Sequence, residues 1–311
     1  MRRAFFIVGP TATGKSEPAA DVARDIGAEI VSADAFQIYR GLDRLSAKPD
    51  DSTLAKAPHH LIGTMALSEE MNAEKYRRAA SHGIEEINSR GKLAIVVGGS
   101  GLYIRALTHG LASLPDADPK LREQLNAMNI DQLRVRLAEL DPETARKIDV
   151  NNRRRLTRAV EICLLTGKPT SQVVAGVGDS GRPGSPIPAT GIFVYRDREE
   201  LYARINERVE AMFERGVIEE VRAAGAMSAT ASQMIGLREI RELLDGRISH
   251  LQCIAAIQQA TRRYAKRQLT WFRRQTSFLP LNLSLLTHNE ARILLRMRSE
   301  LRRGSEVSHQ G

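Results

Sequence analysis

The sequence is poor in cysteine, with two in 311 residues, has a single tryptophan, and carries aromatic side chains at only 5% of its positions. Cys163 and Cys253 stand far apart with no histidine cluster near either, which excludes a disulfide framework and a thiolate zinc site and suits a reducing cytoplasm. Long apolar runs are missing too: no stretch has the length of a signal segment or a membrane span, so no membrane partner is expected. Acid is scarce where it would matter. The apolar run 93–97 ends in Gly98-Gly99 instead of a carboxylate, and no acid lies between Arg262 and Arg274.

What is abundant is positive charge. A formal net charge of +9 and a pI near 9.8 favour a polyanionic partner. The charge is clustered, at Arg153, Arg154, Arg155 and Arg158, and again at Arg262, Arg263, Lys266, Arg267, Arg273 and Arg274. The length leaves room for an α/β core and a smaller second module.

The segment FFIVGPTATGKSEPAADVARD, residues 5–25, sets an apolar strand before Gly9, Gly14, Lys15 and Ser16 in the spacing GxxxxGKS. Such a loop wraps a phosphate in backbone N–H groups, with the lysine on the terminal phosphates and the hydroxyl on magnesium. An alanine-rich helix follows, its N-terminus facing the anion. The motif predicts a diphosphate; it does not say whether that belongs to ATP or to another substrate.

Apolar runs predict further strands at 28–33, 93–97 and 191–195, which together make a doubly wound parallel sheet whose loops converge at the strand C-termini. From Leu114 the pattern turns helical. In the segment RRRLTRAVEICLLTG, Leu156, Ala159, Val160, Cys163 and Leu164 share one face while Arg154, Arg155 and Arg158 share the other. Residues 168–189 are rich in glycine, proline and serine and read as a mobile loop. The organisation predicted is a core over 1–114 and 190–295, an inserted all-helical module over 115–189, and a polar tail over 296–311. In the basic helix near the C-terminus, Ile257, Thr261, Tyr264, Gln268 and Trp271 form an inward stripe.

With no acid after Val97, the acid at a buried strand end is Asp34, after the strand 28–33. It suits a magnesium-associated carboxylate, a base taking a proton from a nucleophile, or a cap of the following turn. Gln37 and Tyr39 either meet a planar base or close the loop. Ser100, in the Gly98-Gly99-Ser100-Gly101 turn, offers a hydroxyl to a phosphate or is an ordinary turn serine. His59 and His60, being adjacent, diverge, which favours a structural or substrate-contact role over metal ligation.

Taken in order, GPTATGKS, SADAFQIYRGLD, SAKP, PHHLIG, VVGGSGLY, LPDADP, NRRRLTRAVEI, DRxxLxxRI from 197 and TRRYAKRQLTWFR at 261–273 resemble the motifs of the bacterial tRNA dimethylallyltransferases, over nearly the whole chain. The resemblance implies a P-loop kinase-like parallel sheet core, and transfer of a dimethylallyl group from its diphosphate to N6 of adenosine 37 in tRNAs reading codons that begin with U. It implies magnesium as cofactor, the tRNA anticodon stem-loop and dimethylallyl diphosphate as partners, and a monomer.

The family's roles fall on this chain by position. Gly9, Pro10, Thr11, Ala12, Thr13, Gly14, Lys15 and Ser16 would bind the diphosphate, with Ser16 on magnesium. Asp34 would be the general base, Ser100 and Lys15 would support the leaving group, and Arg198 would reach the diphosphate, with Arg204 as a nearby rival. Contacts with tRNA would come from Asp34, Ala35, Phe36, Gln37, Ser100 and Arg122. A second set is Arg154, Arg155, Leu156, Thr157 and Arg158, then Gln233, Gly236 and Arg238. A third is Lys266, Arg267, Gln268, Leu269, Thr270, Trp271, Phe272 and Arg273. The chain departs from the family pattern at Ala35 for serine, Ser100 for threonine, Gly63 for aspartate, Asp149 for histidine, Asn152 for aspartate, and Leu237 for tyrosine.

Two other classes account for part of the pattern. A P-loop small-molecule or nucleotide kinase explains the loop and requires ATP turnover, but leaves the basic helix at 261–274 without a purpose. A non-catalytic RNA-binding protein explains the arginines but not Asp34 beside a phosphate cradle.

Overall fold

A computed structural model describes residues 3–111, 114–175 and 187–304. They form two units, Met1–His109 with Pro186–Gly311, and Gly110–Ser185.

The first unit opens with β1 (Ala4–Val8), α1 (Ser16–Ile26), β2 (Glu29–Ala33), α2 (Asp51–Leu54), β3 (His59–His60), α3 (Ala73–Ser89), β4 (Ala94–Gly98) and α4 (Gly101–His109). The second unit holds α5 (Pro119–Ala127), α6 (Ile130–Leu140), α7 (Pro142–Lys147), α8 (Arg153–Thr166) and α9 (Thr170–Ala175). The first then resumes with β5 (Gly191–Tyr195), α10 (Arg198–Glu214), α11 (Val217–Ala223), α12 (Leu237–Leu244), α13 (His250–Phe272), β6 (Phe278–Asn282) and α14 (His288–Gly304).

Six parallel strands lie in the order β3-β2-β4-β1-β5-β6, which gives the unit a P-loop kinase-like core. Residues of β1 alternate between two apolar layers. Phe5 and Ile7 pack with Ala19, Val22 and Leu295 on one side, and Phe6 and Val8 pack with Ile84, Ile104 and Phe193 on the other. The chain order reverses between β4 and β1, so the loop after β1 opens at the switch point where α/β sheets bind ligands.

The glycines at the end of β4 and just after it are there for close packing. A Cβ on Gly98 would lie 2.2 Å from the Ala33 carbonyl oxygen, one on Gly99 2.4 Å from Gln268 Nε2, and one on Gly101 2.7 Å from the Trp271 ring. No carboxylate fits at that strand end, which is the physical reason for the missing acid.

The second unit is built on Leu125, Leu133, Leu137, Leu156 and Val160. Its helices are capped in turn by Asp118, Asn129, Asp141 and Asn152. Asn152 accepts from Arg155 N at 3.2 Å, so it keeps the capping oxygen that an aspartate would supply.

Three sequence expectations need correction. Residues 170–175 of the expected mobile loop form α9, because Ser171 donates from N and Oγ to the buried carboxylate of Asp141 and Thr170 donates to the Ala159 carbonyl. The rest of that loop, 176–186, lies outside the described residues. The polar tail begins as helix: α14 runs to Gly304 and seats Ala291, Leu295 and Ser299 out of solvent at four-residue spacing. Strand β6, not anticipated, closes the sheet edge beside β5.

Candidate active site and nucleic-acid interface

The loop Gly9–Lys15 takes its shape from close contacts and left-handed backbone. A Cβ on Gly9 would meet the Val194 carbonyl oxygen at 2.1 Å, Gly14 has φ +82°, and Ala12 holds φ 64° despite its side chain. Thr13 Oγ1 donates to the Pro10 carbonyl at 3.0 Å and Lys15 Nζ donates to the same oxygen at 3.2 Å.

Arginines from the β5–α10 region brace the loop from outside. Arg196 Nε donates to Thr13 O at 2.8 Å, Arg204 Nε to Ala12 O at 3.0 Å, and Arg208 Nη1 to Thr11 Oγ1 at 2.9 Å. Arg208 Nε is buried without a hydrogen-bond partner among the described residues. From the other side Gln268 accepts from Thr11 N at 2.9 Å and donates to Gly99 O at 2.8 Å, which ties the loop to the turn after β4.

Thr11, Ala12, Gly14 and Lys15 of the loop and the three arginines line a cavity of about 1090 Å³ that also holds Asp34 and Gln37. Burial pushes the Lys15 amine down to about 8; Asp34 opposes this and Arg208 adds to it. Burial likewise lowers Arg208 to about 10, against the attraction of Asp34 and with repulsion from Arg204. The site therefore concentrates positive charge in a desolvated place, and Asp34 is the carboxylate that acts on both Lys15 and Arg208.

Asp34 does two things at once. Its Oδ1 accepts from Phe36 N at 2.9 Å and Gln37 N at 3.3 Å, the expected turn cap, and this fixes the carboxylate so that Oδ2 has no hydrogen bond among the described residues. Ser100, 8% exposed, accepts from Ala35 N at 3.0 Å through Oγ and donates its own N–H to Ala33 O at 3.1 Å, so the turn that carries it is held to β2. Gln37 donates to Ala47 O at 2.9 Å, and Tyr39, fully buried, closes the loop by accepting from Met71 N at 3.2 Å.

A pocket of about 30 Å³ is lined by Lys15, Ser16, Asp34, Gln37 and His59, and by Ser32, whose buried Oγ has no partner among the described residues. The oxygens of Ser16, Ser32 and Asp34 there are of the donor type that a hard cation such as magnesium takes. His59 Nδ1 bonds the Ala57 carbonyl at 2.7 Å and His60 Nε2 bonds Glu29 at 2.8 Å, so each ring has a protein partner, and His59 also lines the small pocket.

Several expected site residues sit elsewhere. Arg198 is exposed, with its guanidinium 5.2 Å from the Tyr202 ring centre, and does not line the cavity; Arg196, Arg204 and Arg208 do. Helical phase holds the signal that finds two of them, since Arg204 and Arg208 are four apart on one face of α10 and Arg198 is about 100° from the middle of that face. Leu156 and Phe272, each 1% exposed, are core residues and present nothing to RNA. Gln268, 6% exposed, is committed to the loop, and Thr157 is 8% exposed. Gly236, at φ +95°, turns the chain into α12 inside the core, where Leu237 is also buried, so that departure from the family pattern lies off the surface.

The remaining basic positions face water. Arg154, Arg155, Gln233, Arg238, Lys266, Arg267, Thr270 and Arg273 are exposed, while Arg122, Arg158, Leu269 and Trp271 are half-buried. Arg267 lies over the Tyr264 ring at 5.7 Å.

The IPP transferase family model matches residues 37–275. The chain belongs to that family, the tRNA dimethylallyltransferases. It is 44% identical to tRNA dimethylallyltransferase 1 of Citrifermentans bemidjiense, over 85% of this chain and 87% of that one. It is 41% identical to the tRNA dimethylallyltransferase of Akkermansia muciniphila, over 87% and 90%. Among solved structures it is similar to the full-length tRNA isopentenylpyrophosphate transferase of Bacillus halodurans, with TM-score 0.69, 32% identity and full coverage of both chains. A eukaryotic dimethylallyltransferase captured acting on tRNA gives TM-score 0.73 at 25% identity, over 91% of this chain and 74% of that one. Family membership makes the chain a prenyltransferase, and the kinase and pure RNA-binding readings fall away.

Proposed function

We propose that the protein transfers the dimethylallyl group of dimethylallyl diphosphate to N6 of adenosine 37 in tRNAs reading codons that begin with U, and releases diphosphate. One observation carries the chemistry: a phosphate cradle lined by Lys15, Arg196, Arg204 and Arg208 faces the unbonded Oδ2 of Asp34 across a single cavity.

The loop amides, Lys15 and Arg208 hold the diphosphate and stabilise the charge that grows on it as the C1–O bond breaks. Adenine N6, a poor nucleophile, is aligned with C1 as the C–N bond forms, and Asp34 Oδ2 takes the displaced proton. Ser100, 8% exposed and not on the cavity wall, supports the site from behind by accepting from Ala35 N, next to Asp34. Magnesium bound with the donor supplies further charge neutralisation; Ser16 would hold it, beside Ser32 and Asp34. The target base leaves its stack to reach the cavity. The exposed arginines and lysines hold the anticodon stem-loop by its phosphates, and Gln37, on the cavity wall, meets the base.

Dimethylallyl diphosphate, magnesium and unmodified tRNA are the test mixture, with ATP omitted. Prenylated tRNA and free diphosphate are expected. A strict requirement for ATP, hydrolysed in step with product, would sink the reading.

A further inference from the structure

In the second unit a carboxylate is entirely withdrawn from solvent. Glu161 of α8 is 0% exposed, and its partners are two arginines on two helices. Arg122 of α5 donates to it twice, Nε to Oε1 at 2.9 Å and Nη2 to Oε2 at 3.4 Å. Arg158, one turn earlier on α8, donates Nη1 to Oε2 at 2.5 Å and Nη2 to the Pro115 carbonyl at 2.7 Å.

Desolvating a carboxylate is costly, and an apolar side chain of similar volume often stabilises a fold as well or better. Here the acid stands beneath two cations that remain 40% and 31% exposed, so the group carries a net positive charge toward water with its geometry fixed from below. Arg154 and Arg155 contrast with this, exposed and with no side-chain ion pair among the described residues.

We propose that Glu161 is a positioning residue: it touches no substrate, and holds Arg122 and Arg158 at a set spacing as a rigid pair for two RNA phosphates. This rests on the tRNA-modifying reading above. Preorganised guanidinium forks lose less side-chain entropy when they bind phosphate than free ones do.

The test compares Glu161→Gln, Glu161→Asp, Arg122→Met/Arg158→Met, and the last combined with Glu161→Gln. Melting curves, equilibrium binding of unmodified tRNA at several salt concentrations, and steady-state prenylation are measured on each. Glu161→Asp keeps the charge and withdraws the carboxylate, so it separates position from charge balance.

Both Glu161 variants are expected to raise Kd and KM for tRNA about tenfold, with kcat at saturating tRNA and KM for the donor unchanged. The double arginine variant should lower the salt slope of log K by about 2, and adding Glu161→Gln to it should weaken binding no further. The assignment fails if folded Glu161→Asp binds tRNA with the parent Kd and slope, or if the Glu161→Gln loss adds in full to that of the arginine pair. If the unaltered enzyme neither binds nor prenylates tRNA, the proposed function fails first and this assignment goes with it.

Discussion

Arg208 Nη1 donates to Thr11 Oγ1 at 2.9 Å, and the same guanidinium keeps its Nε buried and unbonded against the phosphate loop. An unpaired buried donor is costly, and an anion seated in the loop would remove that cost. Arg208→Met is therefore expected to raise KM for dimethylallyl diphosphate about 10- to 100-fold, the equivalent of one charged hydrogen bond. Arg198→Ala, which trims an exposed side chain resting on Tyr202, should change it less than about twofold. Steady-state kinetics with varied donor decide the matter; the opposite ranking would return the diphosphate contact to Arg198.

For proton removal the prediction is a loss of rate without loss of binding. Asp34→Asn keeps the Oδ1 cap on Phe36 N and Gln37 N and takes away the base. Single-turnover rates should fall about 10²- to 10⁴-fold with tRNA affinity near the parent value. Near-normal turnover would leave Asp34 with its turn-capping role alone.

The lowered pKa of Lys15, about 8, sets a pH limb. The amine is charged below that pH and neutral above it, and only the charged form attracts diphosphate. kcat/KM for the donor should therefore fall as pH rises through about 8, while kcat stays flat to higher pH because the bound anion favours the charged amine. In Lys15→Met the residual kcat/KM should lack this limb. An unchanged limb in that variant would assign the titration to another group.

Gln268 offers a prediction about stability. Gln268→Leu would orphan Thr11 N and Gly99 O beneath the loop, at a cost of about 1–3 kcal/mol for each buried group. Denaturant unfolding should show that loss, with KM for the donor rising in parallel. Unaltered stability and KM would mean that water replaces the amide.

The central strands were legible because β1, β2, β4 and β5 are short apolar runs buried on both faces. Two edges of the sheet were not. β3 spans two histidines, and β6 reads FLPLN, where Pro280 argues against a strand anywhere but at an edge. α14 was hidden by its arginines, since among the described side chains the buried face is Ala291, Leu295 and Ser299.

At the site, GxxxxGKS and Asp34 could be read directly, whereas the bracing arginines could not be ranked without the phase of α10. Gln268 already stood on the inward stripe of its helix. That placement, rather than its neighbours in a basic motif, gave its true surroundings.

That the phosphate held by this loop is a prenyl donor's leaving group, and that the acceptor is one tRNA base, is tested by incubating the protein with radiolabelled dimethylallyl diphosphate, magnesium and unmodified tRNA, digesting the RNA and locating the label. Label is expected in a single nucleoside, N6-dimethylallyl adenosine from position 37, at one equivalent per susceptible tRNA and without ATP. Label absent from the RNA, or spread over many nucleosides, would contradict it.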